Sequence, residues 1–240
     1  MSDGISICIL TYNVGFYNRL AFQKIRELTR LIPYEVLIFD NGSTDGSVDW
    51  IRDNLDYFPY DPVRLWEGES NLLRHGAALD FLVQKAKYDI CCTLCSDAFP
   101  VSPHWVEPAF SLFDDNVVLA GIDRGWGRKI SHYVCPSYLF GNTAWLRQHT
   151  FLDHWPDWDT GEKMGLDVEK EGKEMRMWPQ KNVEMPNGMR AKACDYNGWV
   201  WHTWMTGRAM TVPNVVPVEC EPEYHDYVKT MLRAKYNLDF

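Results

Sequence analysis

The chain has 240 residues, 46% of them hydrophobic, and a formal net charge of −9. That length admits one large domain or two small ones and buries a sizeable core. The acidic balance excludes a broad basic surface for nucleic acid, and no apolar run approaches the roughly 20 residues that span a bilayer.

Residues Ile5 to Leu10 form an apolar run ending in Thr11-Tyr12-Asn13, a strand that feeds a polar turn. From Phe16 to Ile32, apolar residues fall at Tyr17, Leu20, Ala21, Ile25, Leu28 and Ile32. These steps of three and four predict an amphipathic helix, stopped by Pro33. Glu35 to Phe39 is the second strand, and Val48, Ile51 and Leu55 mark the second helix. Val63 to Trp66 reads as the third strand. Ser70 is placed to cap a third helix running to Lys87, with Leu73, Ala77, Phe81 and Ala86 facing inward. Asp89 to Leu94 is a fourth buried strand, ending in Cys95-Ser96-Asp97. This alternation predicts right-handed crossovers and a mostly parallel, doubly wound α/β sheet with helices on both faces.

After Val117–Gly121 the alternation blurs, and eight of the eleven tryptophans lie beyond Gly121. A helix-like stretch runs to Gly172, and Met175 to Trp178 is strand-like. No repeat, linker or clear boundary divides the chain. It is expected to be a single domain over 1–240, with a ligand-binding half over 1–121 and a Trp-rich half with a C-terminal helix over 122–240. Lys229, Arg233 and Lys235 make the tail more basic than the rest, which reads as a solvated helix face.

The seven cysteines are an odd number, and several, such as Cys8, Cys91 and Cys92, lie in apolar stretches. Reduced, buried thiols fit a cytoplasmic protein better than a disulfide framework does. The opening Met-Ser-Asp-Gly has neither the basic nor the apolar region of a signal peptide. Cys92 and Cys95 have the spacing of half a zinc site, but no second pair matches, so structural zinc is not expected.

The most informative segment is Asp40-Asn41-Gly42-Ser43-Thr44-Asp45-Gly46-Ser47. A buried strand stops at an acid, a turn follows, and then a helix begins. Ligands of open α/β sheets bind beyond the carboxyl ends of the strands, so Asp40 stands where a ligand would be met. The turn offers acceptors, hydroxyls and free N–H groups at a helix start. Read alone, it is equally an ordinary turn, with Asp45 or Ser47 as a helix cap. Thr11-Tyr12-Asn13 and Ser96-Asp97 end two further parallel strands at the same sheet edge, which favours a site.

These segments together resemble the family-2-type glycosyltransferases of the GT-A fold, a Rossmann-like α/β architecture. The pattern has a Thr-Tyr-Asn-like first turn, an Asp-Asn-Gly-Ser-x-Asp-Gly-Ser second turn, an Asn opening the third helix (here Asn71), and an acidic motif after the fourth strand. The resemblance is strong over roughly 5–100 and loose beyond. It implies transfer of a sugar from a nucleoside-diphosphate sugar to a carbohydrate or glycoconjugate acceptor, assisted by Mn²⁺ or Mg²⁺. On it, Thr11, Tyr12 and Asn13 line the nucleotide pocket. Asp40 accepts a hydrogen bond from the base, with Asn41, Ser43, Asp45, Asn71 and Ser96 nearby.

The usual Asp-x-Asp metal motif here reads Cys95-Ser96-Asp97. Mg²⁺ and Mn²⁺ prefer oxygen, so Cys95 is a poor ligand for either. Asp97 keeps the acid that touches the metal, or is a plain turn acid. His202, set among Trp199, Trp201 and Trp204, fits the late metal-binding His of this superfamily, or is a core histidine. Arg208 or Arg74 suits the diphosphate through its planar guanidinium, or is a solvated charge.

Inverting transfer needs a carboxylate to take the acceptor's proton. Asp159 lies nearest the family's base position, with Asp157 and Glu162 behind it. Asp159-x-x-Glu162 is also a capping-box arrangement. Trp155 and Trp158 are expected to be partly exposed, where an indole face packs on a sugar ring. Two rival readings remain: a degenerate glycan- or nucleotide-binding module, favoured by Cys95, and a sugar-nucleotide pyrophosphorylase. The second would need a Gly-rich, basic N-terminal loop where this chain has Thr-Tyr-Asn.

Overall fold

The computed structural model describes residues 4–30, 32–55, 63–68, 74–125, 127–152, 157–183, 193–203, 230–231 and 233–234. Three strand–helix units and a fourth strand open the chain. They are β1 (Ile5–Thr11), α1 (Gly15–Leu28), β2 (Tyr34–Asp40), α2 (Ser47–Asp53), β3 (Val63–Glu67), α3 (His75–Lys85) and β4 (Ile90–Cys95). After them come β5 (Ala98–Pro100), α4 (Pro108–Ser111), β6 (Val117–Asp123), β7 (Val134–Asn142), α5 (Thr143–Leu146), α6 (Glu162–Lys170) and β8 (Glu174–Pro179). The short strands β9 (Lys181–Val183), β10 (Ala193–Tyr196) and β11 (Val200–His202) complete the set.

The main sheet has seven strands in the order β3-β2-β1-β4-β7-β6-β8. Its pairs are parallel except at β7, which runs antiparallel to both β4 and β6. Chain order reverses between β1 and β4. Their carboxyl ends, Thr11 and Cys95, therefore border the crevice where open α/β sheets take ligands. A four-stranded antiparallel sheet, β5-β11-β10-β9, sits beside it.

Alternation along β1 and β2 divides the interior into two cores. Ile5, Ile7, Ile9, Tyr34, Val36 and Ile38 pack with Phe22 and Ile25 of α1 and Ile51 of α2. Cys8, Leu37 and Phe39 face the other way, onto Leu79, Leu82 and Val83 of α3 and Met164 and Val168 of α6. Helices thus cover both faces, as a buried parallel sheet requires. The first core also takes in Cys194, Tyr196 and Val200 of the small sheet.

Three expectations need correction. The first helix ends at Leu28 rather than running to Ile32. Thr29 leaves the helix there, buried, and its hydroxyl accepts the Trp105 indole N–H at 3.1 Å. The third helix starts at His75, with Arg74 at the N-cap, while Ser70 and Leu73 lie outside the described residues. Its inward face is Ala78, Leu79, Leu82 and Val83, and Ala77 is exposed. Leu79, Leu82 and Val83 set the face that packs; Ala78 and Ala86 fall on it, as Ala86 was expected to, and Ala77 does not. The third correction is β7, a central strand that periodicity misses because it carries Pro136. Proline is confined to edges and bulges, and the β6–β7 register shifts here, from Gly121 opposite Leu139 to Ile122 opposite Cys135.

Candidate active site

Strand pairing brings His202 to Asp97 across 105 positions of sequence. β5 begins directly after the Ser96-Asp97 turn, and β11 pairs with it so that His202 lies opposite Ala98. The His202 Nε2 stands 3.2 Å from Asp97 Oδ1. On the other side of the ring, His202 Nδ1 is 2.6 Å from the Tyr196 hydroxyl. Tyr196 is on β10, diagonal to His202 in the β10–β11 register, within reach of a long side chain. Thr203 donates its backbone N–H and its hydroxyl to the Asp97 carbonyl, each at 3.0 Å.

Asp97 and His202 are almost fully buried, at 7% and 5% exposure. Burial pushes the Asp97 carboxyl up, but the His202 charge and hydrogen bond outweigh it and leave it below its ordinary value. Burial pulls His202 down, and the neighbouring Tyr196 and Asp97 more than reverse this, leaving the imidazole well above its usual range. A third donor joins them: Cys95 Sγ, the Asp97 carboxylate and the His202 ring nitrogen all lie within 4.8 Å of one another. One oxygen, one nitrogen and one sulfur converging at a sheet edge fit a divalent cation.

The Asp40 turn lies two strands away at the same edge. Asp40 is buried, and its Oδ2 accepts the N–H groups of Gly42 at 3.0 Å and Ser43 at 2.8 Å. Its Oδ1 accepts the Ser43 hydroxyl at 2.5 Å. A carboxylate has about four lone-pair sites, so these bonds leave room for one more donor. Gly42 takes φ +86°, a left-handed conformation that suits glycine.

The first turn is stitched to the second. Asn13 donates its N–H to Ser43 Oγ at 2.9 Å and accepts the Thr44 N–H at 2.7 Å, with Asn13 itself at φ +49°. The buried Thr11 hydroxyl accepts from Asn18 at 3.0 Å, and the Thr11 carbonyl accepts the Asn41 N–H at 2.9 Å. Tyr12 is half-buried, Asn41 and Ser96 are buried, and Ser43 is half-buried between the two turns. Asp45 is exposed and accepts the Ser47 N–H at 3.0 Å, while the N-cap of α2 is Gly46 rather than Asp45 or Ser47.

Asp159 is brought to this edge by two residues flanking a β6–β7 connection. Arg124 follows β6 and places Nε 3.4 Å from Asp159 Oδ2; Tyr133 precedes β7 and donates its hydroxyl to the same oxygen at 2.6 Å. The other oxygen accepts the Thr160 N–H at 2.9 Å. Burial and Asp159 together push the Tyr133 phenol far above its usual range, so it stays a donor. Glu162 is fully buried and spent on backbone. It accepts the N–H groups of Lys129, of Ile130 at 3.1 Å and of Asp159 at 3.1 Å. The reach back to Asp159 resembles the capping box, but the N-cap of α6 is Gly161. Gly127 is required here, since a Cβ would stand 2.6 Å from Glu162 Oε1 and 2.2 Å from the Ile130 carbonyl. Asp157 is exposed.

Arg74 is exposed at the N-cap of α3. Asn71, Arg208 and Trp155 lie outside the described residues. Trp158 is half-buried, with Lys129 Nζ 5.9 Å from its ring centre. Trp145 and Trp201 are buried, whereas Trp178 and Trp199 meet edge to face at 5.3 Å. With His104, Glu107 and Leu112, these two indoles line a cavity of about 260 Å³.

Sequence reasoning missed Arg124, Tyr133 and Tyr196, and set Cys95 aside. The arginine and tyrosine had a faint signal, since each directly flanks a strand at the carboxyl edge. Tyr196 had none without the hairpin register.

Glycosyl transferase family 2 matches residues 6–154, more than half of the chain. No curated protein matches the sequence. Among solved structures, the mannosyltransferase PcManGT of Pyrobaculum calidifontis, in complex with GDP-Man and Mn²⁺, superposes with a TM-score of 0.60 at 18% identity. That match covers 73% of this chain and 54% of the other, so the chain spans about half the length of that enzyme. TarS 1–349 of S. aureus gives 0.56 at 11% identity, covering 97% and 73%. Glucosyl-3-phosphoglycerate synthase of Mycobacterium tuberculosis, in complex with phosphoglyceric acid, gives 0.52 at 16%, covering 77% and 73%. These likenesses establish a GT-A fold.

Proposed function

The chain belongs to glycosyl transferase family 2, and we propose that it moves a sugar from a nucleoside-diphosphate sugar to an acceptor hydroxyl with inversion. The observation that carries this is the convergence of Asp97 and His202 at the strand-order reversal beside the Asp40 turn. Thr11, Tyr12, Asn13, Asp40, Asn41 and Ser43 form the nucleoside subsite, with Asp45, Asn71 and Ser96 at its margin. Asp97 and His202 hold a divalent cation, Mn²⁺ or Mg²⁺ in the family manner, which when bound neutralises charge on the departing diphosphate. Arg74 and Arg208 are the guanidinium candidates for the same phosphates.

Asp159 is the base. The acceptor oxygen attacks the anomeric carbon, the bond from that carbon to the diphosphate oxygen breaks, and the acceptor's proton passes to Asp159. Tyr133 and Arg124 fix the orientation of this carboxylate. Glu162, through the Asp159 N–H, positions the segment that carries it, and Asp157 is the exposed acid beside it. Residues 1–121 serve the donor and 122–240 the acceptor within one domain. The Trp178–Trp199 cavity supports a carbohydrate acceptor, because indole faces pack on sugar C–H groups.

Among the described residues no helix is long and apolar enough to cross a membrane, and six described cysteines are free thiols. Both support a cytoplasmic setting. A panel of nucleotide sugars incubated with Mn²⁺, Mg²⁺ or Zn²⁺ in turn tests the function. Release of nucleoside diphosphate with one donor supports the transferase. Binding without turnover of any donor, with or without acceptor sugars, returns the chain to the binding-module reading that Cys95 favours. Pyrophosphate release from a nucleoside triphosphate and a sugar phosphate would indicate a pyrophosphorylase.

A further inference from the structure

The third donor at the metal site changes which ion it selects. We infer that Cys95, Asp97 and His202 form a thiolate–carboxylate–imidazole site that binds Zn²⁺-like ions in preference to Mg²⁺ or Mn²⁺. This rests on reading the Asp97–His202 edge as a metal site, and goes beyond it by making Cys95 a ligand.

The ligand atoms already lie within 4.8 Å of one another. A tetrahedral ion bound at about 2.0–2.3 Å separates its ligands by about 3–4 Å, so small side-chain rotations complete the site. Three protein ligands leave a fourth position open, the arrangement of catalytic rather than structural zinc sites. Sulfur is the deciding atom. Thiolate favours zinc and other borderline or soft ions, whereas Mg²⁺ and Mn²⁺ keep to oxygen.

The surrounding shell fits this role. The Tyr196 hydroxyl at Nδ1 leaves His202 Nε2 facing Asp97 and Cys95 and holds the ring in place, as a hydrogen bond on the far nitrogen typically does for metal-binding histidines. The Cys95 thiol donates to the Ser137 hydroxyl on β7 at 3.3 Å; once the thiol proton leaves, rotation of that hydroxyl reverses the bond and supports the thiolate. Thr203 holds the Asp97 carbonyl from behind. Among the described cysteines, Cys95 is the one that is not buried, so it is also the one that an entering ion meets. The balance is simple: as the ion binds, the thiol proton and the imidazolium proton leave to solvent, and no redox change occurs.

The test uses the full chain, reduced and stripped of metal, titrated with Co²⁺ alone and then with competing ions. A thiolate-to-cobalt charge-transfer band should appear in the near ultraviolet. Zn²⁺ should displace the cobalt stoichiometrically, while a hundredfold excess of Mg²⁺ or Mn²⁺ should not. Cys95→Ser should abolish the band and weaken Zn²⁺ binding by about a hundredfold or more, since even losing a ligand's supporting partner costs about 10–100-fold. Cys95→Asp should abolish the band and shift preference toward Mn²⁺. In the unmutated protein, Zn²⁺ should protect Cys95 from alkylation, a readout that needs no variant to fold. Cobalt bound without the band, or a band that survives Cys95→Ser, overturns the role of Cys95 and leaves the Asp97–His202 site standing. No metal bound by the unmutated protein, with or without nucleoside diphosphate, overturns both.

Discussion

Asp159 has two neighbours that hold it in place, Tyr133 and Arg124, and one backbone N–H on its other oxygen. A base must be aimed as well as present, and these contacts aim it. Asp159→Asn keeps the shape and cannot take a proton, so transfer should fall by about 10²–10⁴-fold while nucleotide affinity stays level. Steady-state rates beside nucleotide titrations check this, and near-normal transfer would remove Asp159 from the chemistry. Asp40 holds its own turn, and the proposed function gives it a second duty toward the nucleotide. Its three bonds to Gly42 and Ser43 hold the turn, so Asp40→Ala should lose both the turn and the ligand. Asp40→Asn can retain an acceptor for the two N–H groups while losing the charge. Nucleoside diphosphate affinity should then fall about tenfold or more, because a charge-assisted bond contributes about 1.5–3 kcal/mol. Calorimetric titration of both variants decides between a turn role and a ligand role.

Strand ends carry the site, and the opposite ends of the same strands carry stability. At the amino end of β2, the buried Glu35 accepts from Ser6 at 2.6 Å and from the Lys87 N–H at 2.7 Å, and pairs with Arg64 at 2.5 Å. Glu35→Ala leaves the buried Ser6 hydroxyl without its acceptor and Arg64 without its partner, and should cost about 1–3 kcal/mol. The urea midpoint should drop with an unchanged slope, and metal binding at the far edge should not alter. Asp80 joins α3 to the segment after α5, accepting from Thr150 at 2.6 Å and from the Phe151 N–H at 2.8 Å. Burial raises its carboxyl above the ordinary value, despite those two bonds. A raised folded value means that the folded state holds the proton more tightly. Its contribution is fully present below the ordinary carboxylate range and is lost as pH rises through the raised value. Asp80→Asn resembles the protonated form at every pH, so its unfolding midpoint should rise relative to that of the unmutated protein as pH increases through that window. A constant offset would show that Asp80 does not titrate there.

At the scale of the whole molecule, the proposed site lies at the meeting of two sheets. Residues of the first 121 positions supply the turns and Asp97; the small sheet supplies His202. Ligand bound only by this folded arrangement must stabilise it. At a concentration 100 times its dissociation constant, a ligand adds about 2.7 kcal/mol. For a domain of this size that raises Tm by about 5–10 °C. Nucleoside diphosphate with metal should give such a shift in a thermal scan, and the pair together should exceed the sum of each alone if diphosphate oxygens complete the metal's shell. Equal, additive shifts would place nucleotide and metal at separate sites.

Local pattern alone carried the strand–helix alternation through β4, the family resemblance over the first hundred residues, and the acids at the strand ends. These are legible because a buried parallel strand and an amphipathic helix write their periods into neighbouring residues, and because turn chemistry is local. Boundaries were less secure: α1 stops at Leu28 because Thr29 finds a tertiary partner in Trp105. Only the tertiary structure decided that Pro136 lies in a central strand, since the register shift that admits it, residues 136–138 bulging from β7 between Gly121 and Ile122, is visible only in the pairing with β6. Only it brought His202 to Asp97, through the register of β11 on β5, and Tyr133 and Arg124 to Asp159. Only it set Cys95 beside Asp97 and His202, because a thiol's value as a ligand depends on which donors stand beside it. Spacing along the chain records the local partners of a residue; the distant ones are set by strand register and packing, which no short window of sequence contains.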